Sequence, residues 1–161
     1  MPAFVKRAVT LGLRVASALA FVAPLLTRIT VGYSFFLTGR GKLGNLETFT
    51  GYLQELGVPF ASAQAPFVAG LEFVGGICLV IGLLTRLMSL GLLGTMAGAL
   101  LTAEKDSFIG SWAPTGEVGP LDIDPWVFIL LLSWLVLYGP GPVSVDKPAS
   151  KLLGLTTNDS K

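Results

Sequence analysis

The stretch that most constrains this chain is Pro66 to Arg86, PFVAGLEFVGGICLVIGLLTR. About twenty apolar or small residues at ~1.5 Å rise make roughly 30 Å of helix, the thickness of a bilayer's hydrocarbon core. One carboxylate, Glu72, interrupts it. A charged side chain at mid-membrane is unfavourable by roughly 2.5–3.5 kcal/mol on insertion scales, so it must face protein or a polar cavity and not lipid. Gly75 and Gly76 follow at i+3 and i+4 on Glu72's own face, and Val68 and Ala69 extend that face backwards. Small residues of this kind let a second helix approach closely. The stretch is therefore a membrane helix with a polar interior position.

The rest of the chain fits such a helix. Of its 161 residues 52% are hydrophobic and only 13% charged, with a mean hydropathy of +0.73, which suits a multi-span membrane domain with short loops. The sequence contains no histidine and one cysteine, Cys78. His-ligated haem, histidine metal sites and Ser–His or Cys–His catalysis are excluded within the chain, and no disulfide can form inside it. No metal or other cofactor is expected in the chain itself, no catalytic residue stands out, and the composition leans away from an enzyme acting alone. A net charge of +1 without a basic block makes nucleic acid an unsuitable partner.

Four spans are expected: about 19–38, 66–85, 87–103 and 125–139, within a membrane domain 19–142. Residues 1–18 carry Lys6, Arg7 and Arg14 in an apolar pattern and read as a basic interfacial helix. A signal peptide ending at SALA is the alternative, though Arg14 would interrupt its apolar core. Between the first two spans, Leu46, Phe49, Leu53 and Leu56 recur at 3-4-3 spacing, with Asn45 placed to cap the start and Gly57 the end. This predicts a short amphipathic helix in the first outer loop. A second outer loop, 104–124, is acidic and leads to Asp124–Pro125, an expected N-cap with proline at the first helical position. Residues 143–161 form a polar tail. Lys6, Arg7, Arg14, Arg86, Lys147, Lys151 and Lys161 fall on one side of this arrangement, against Arg40, Lys42 and Lys105 on the other. The positive-inside rule then places both termini in the cytoplasm.

Arg28 lies near mid-depth of the first span, on a stripe with Gly32 and Gly39. A buried arginine demands a counter-charge or carbonyls. Counted from the outer ends of their spans, Arg28 and Glu72 come within reach of one another. The expectation is a buried Arg28–Glu72 ion pair, serving either as a clamp on helix register or as part of a polar pocket. With Gly39 and Lys42 nearby, that pocket would suit a quinone or a lipid headgroup. Gly32, Gly75, Gly76 and the Gly94–Gly98 GxxxG pair are expected at helix contacts.

The segments LLTRITVGYSFFLTGRGKL, AGLEFVGGICLVIGLLTRL and GPGPVSVD, in this order, resemble the DoxX/DoxD family of small four-helix membrane proteins. The resemblance runs from about Leu25 to Asp146. It implies a bacterial or archaeal inner-membrane subunit, in some members linked to quinone-coupled thiosulfate oxidation or to redox-defence assemblies. Thr38 stands where members often carry a histidine. Three functions follow as expectations. The first is a non-catalytic subunit or assembly factor of a respiratory, photosynthetic or redox membrane complex, with other membrane subunits and lipids as partners. The second is a quinone-binding subunit of an oxidoreductase. The third is a small transporter or lipid-binding module.

Overall fold

A computed structural model describes residues 2–113, 118–141 and 144–146. The elements are α1 (Ala3–Leu19), α2 (Val22–Gly44), α3 (Leu46–Glu55), α4 (Ala61–Ile81), α5 (Thr85–Thr102), α6 (Lys105–Gly110), a 3₁₀ turn at Pro120–Asp122 and α7 (Asp124–Tyr138). Among the described residues there is no strand. Residues Phe4–Gly44, Ala61–Ile81 and Thr85–Thr102 contain helix long and apolar enough to cross a membrane, and α7 is a shorter apolar helix of 15 residues.

The helices begin and end differently from the sequence expectation, for identifiable reasons. α2 does not stop near Thr38 but continues to Gly44, so Gly39, Lys42 and Leu43 are helical and not loop. Gly39 permits this because α4 passes directly over it: a Cβ there would collide with the Phe73 backbone nitrogen and lie 2.7 Å from its Cα. α4 starts five residues before Pro66, at Ala61, and places that proline in its second turn. At the other end of the chain Ile123, not Asp124, is the N-cap of α7, with Asp124 already in the first turn. The connection between α5 and α7 holds α6 and the 3₁₀ turn, which the sequence pattern did not reveal. Of the polar tail only residues 144–146 are described, so Lys147, Lys151 and Lys161 lie outside the described residues.

α2 packs most extensively on α4, α5 on α7, and α4 on α5, with a lighter contact between α2 and α7. Val31, Phe35, Leu79, Leu92, Leu132 and Leu135 meet in the centre. The α2–α4 contact is nearly backbone to backbone. A Cβ on Gly32 would stand 2.8 Å from the Gly76 carbonyl oxygen, and one on Gly76 would strike the Phe36 nitrogen. Gly75, one residue on, faces α5 instead, where Leu92 covers it at 3.2 Å. The two adjacent glycines of Glu72's neighbourhood therefore serve two different helix contacts.

Among the described residues no helix packs against Gly94 or Gly98. No described heavy atom comes within 4 Å of a Cβ built on either, because both face an open cavity.

Candidate functional site

Glu72 lies midway along α4, and its side chain is 1% exposed. Its partner is Lys42. The Lys42 ammonium donates to Glu72 Oε1 at 2.6 Å and to Oε2 at 2.7 Å, so one cation spans both carboxylate oxygens. Lys42 occupies the last turn of α2, where the helix dipole favours a cation. Its Nζ also stands 4.9 Å from the ring centroid of Phe49 in α3, a cation–π contact. Three helices thus fix one ammonium group, whose side chain keeps 29% of its exposure.

The expected Arg28–Glu72 pair is not formed. Gly39 is the α2 residue level with Glu72, and Arg28 lies eleven positions earlier, three turns or ~16 Å along the helix. The Arg28 guanidinium instead reaches the other end of the molecule. There Nη1 donates to the Pro140 carbonyl at 2.8 Å, packs against Gly82, and lies within electrostatic reach of Asp146. Asp146 in turn accepts from the Leu84 and Thr85 amides, the latter at 2.9 Å, and its own amide donates to the Gly82 carbonyl at 3.0 Å. Gly82 (φ 78°) and Leu84 (φ 49°) both hold left-handed backbone, which frees those amides for the carboxylate. Arg28 belongs to this second cluster and not to a pocket with Gly39, Lys42 and Glu72.

The Lys42–Glu72 pair forms part of the wall of a cavity of about 930 Å³ between α2, α3, α4, α5 and α7. Phe35, Leu71 and Met96 supply apolar wall, and Gly94 and Gly98 supply bare backbone. Two hydroxyls on the wall are turned back to their own helices: Thr38 Oγ1 donates to Ser34 and Phe35 carbonyls, and Thr95 Oγ1 to the Leu92 carbonyl. Glu104 and Asp124, at the ends of α5 and α7, also border the space. Such a cavity suits an elongated apolar molecule with one polar end, the polar end at Lys42 and Glu72.

The DoxX family profile matches residues 23–105 of this sequence. The chain belongs to the DoxX family. The match takes in α2, α3, α4 and α5, and with them Lys42, Glu72 and most of the cavity wall. Outside it lie α1, α7 and the Pro140–Asp146 segment that holds Arg28. This DoxX protein is 31% identical over 91 residues to a protein of Bacillus subtilis (strain 168) named "Putative oxidoreductase CatD". The alignment covers 56% of this chain and 66% of that protein, just under two thirds of its length. No solved structure matches this DoxX chain.

Proposed function

We propose that this DoxX protein is a four-span subunit of a bacterial or archaeal inner-membrane redox assembly, and that it holds a quinone-class lipid in its cavity. One observation carries the reading: a lysine–glutamate ion pair stands on the wall of a largely apolar cavity, separate in sequence from Glu104 and Asp124 that also border it, and the space can take a long hydrophobic tail. The ammonium of Lys42 can donate to a quinone carbonyl, and the Glu72 carboxylate can accept from a quinol hydroxyl. Both oxidation states of one headgroup thereby find a partner. The name of the Bacillus relative agrees with a redox setting. With no histidine in the chain, the electrons come from and go to partner subunits. α2, α4, α5 and α7 are the four spans, both termini cytoplasmic; at 15 residues α7 is short, which local thinning of the bilayer accommodates.

The test is extraction of the purified protein with organic solvent, followed by mass spectrometry, and titration with a short-chain quinone followed by thermal shift. The expected result is stoichiometric quinone in the extract. A Lys42→Met/Glu72→Gln double variant should bind the short-chain quinone at least tenfold more weakly. An extract free of quinone, with no thermal response to the titrant, would remove the reading. An extract containing only phospholipid favours the second reading, a non-catalytic assembly subunit whose cavity holds a structural lipid. That reading draws on the composition, which supplies neither an imidazole nor a second thiol.

A further inference from the structure

α1 lies outside the family match and packs substantially against none of the other helices among the described residues. Its polar side chains, Lys6, Arg7, Thr10, Arg14 and Ser17, fall within a sector of about 100° when projected at 100° per residue. All five are exposed. The two hydroxyls in that sector are turned inward, Thr10 to the Lys6 carbonyl at 2.8 Å and Ser17 to the Arg14 carbonyl at 3.0 Å, so the face it offers outward is cationic. Away from that sector stand Phe4, Val9 and Leu19, which are 73%, 53% and 56% exposed. Helix this apolar is not stable against water on all sides.

No carboxylate within α1 offsets its cations, since the first acidic residue of the chain is Glu47. Among the described residues no acidic side chain forms an ion pair with Lys6, Arg7 or Arg14. Only Ala20 and Phe21, both in right-handed helical backbone, separate α1 from α2, which keeps α1 beside the point where α2 begins. The joint between them is weakly bonded. The Ala20 amide bonds only to Ser17, and Pro24 has no amide to offer the Ala20 carbonyl. We propose that α1 lies along the membrane surface, with Phe4, Val9 and Leu19 among acyl chains and Lys6, Arg7 and Arg14 binding anionic phospholipid headgroups. α1 is then a charge-selective anchor appended to the DoxX domain, in a leaflet rich in acidic lipid. This holds whether or not the cavity takes a quinone.

The experiment uses the full chain with Cys78→Ala and Val9→Cys, a fluorophore on the new thiol, and nanodiscs of zwitterionic lipid with or without phosphatidylglycerol. Accessibility of the fluorophore to acrylamide in the aqueous phase is the readout. The fluorophore should be shielded in the anionic discs and become accessible as salt is raised towards 1 M. Each basic residue near an anionic surface changes the partition about fivefold, so Lys6→Gln/Arg7→Gln/Arg14→Gln should lower the docked-to-free ratio about a hundredfold. Should the triple variant express poorly, the salt titration on the unaltered basic face decides the same question. Shielding that is equal in neutral and anionic discs and indifferent to salt would overturn the proposal. So would full accessibility in both.

Discussion

Lys42 and Glu72 form one ion pair but are not equally buried, and that asymmetry sets a quantitative expectation. Removing one partner of a buried pair is destabilising by about 3–5 kcal/mol, because the other charge is left unpaired in low dielectric. For Lys42→Met the stranded group is a carboxylate on a side chain only 1% exposed, and both its oxygens lose their donor. The loss should fall well within that range, about 4 kcal/mol. For Glu72→Gln the stranded group is an ammonium on a side chain 29% exposed, which also keeps its contact with Phe49 and an amide oxygen to donate to. That loss should be about 1–2 kcal/mol, the scale of exchanging a charged hydrogen bond for a neutral one. The double variant has no stranded charge and should be more stable than Lys42→Met alone, with a coupling of about 2–3 kcal/mol. Denaturant-induced unfolding in detergent, followed by fluorescence of the three tryptophans, measures all four proteins. Equal losses in the two single variants, or a double variant whose loss is their sum, would refute the reasoning.

Glycine substitutions should split by what each faces. Gly76→Ala meets the Phe36 backbone and should be destabilising by more than about 2 kcal/mol, whereas Gly94→Ala and Gly98→Ala face open space and should stabilise the helix by about 0.5–1 kcal/mol each; the same unfolding assay checks both. Asp146→Ala leaves the Leu84 and Thr85 amides without their acceptor and should be destabilising by about 1–2 kcal/mol, a capping loss that Asp146→Asn restores in part. For the topology, cysteines introduced at Ser107 and Ser150 in a Cys78→Ala background should react with an impermeant thiol reagent from opposite sides of the membrane. Reaction of both from one side sinks the four-span arrangement.

Glu72 was legible in the sequence as an interior polar position because a lone carboxylate in an apolar run cannot face lipid without a large penalty. Its partner was not. Lys42 follows Gly39, Arg40 and Gly41, and glycines beside charges read as a helix end. In the structure Gly39 keeps the helix going, because the missing side chain is what lets α4 pass over it. Sequence propensity records the intrinsic weakness of glycine in a helix but not the neighbour that compensates it. Arg28 was legible as buried, yet its acceptor, the Pro140 carbonyl, is 112 residues away and belongs to a backbone group that no side-chain pattern marks. The Gly94–Gly98 spacing carried a different ambiguity. It announces a smooth helix surface, and the same surface serves a packed helix or the wall of a cavity.

The two charged clusters lie at opposite ends of the α2–α4 contact, and their surroundings give them different work. Around Arg28 the partners are fixed: a backbone carbonyl, a glycine in a left-handed turn, and an aspartate already committed to two amides. The Arg28 side chain is buried, and none of these partners can leave without opening the turn between α4 and α5. Around Lys42 the partners can be exchanged. The ammonium keeps part of its exposure, borders an open cavity, and bonds both oxygens of one carboxylate, so it can give up one bond to an incoming carbonyl and retain the other. Between them Gly32, Gly39 and Gly76 hold α2 and α4 too close to slide past one another. Variants at Arg28 should accordingly alter stability without altering ligand affinity, and variants at Lys42 should alter both.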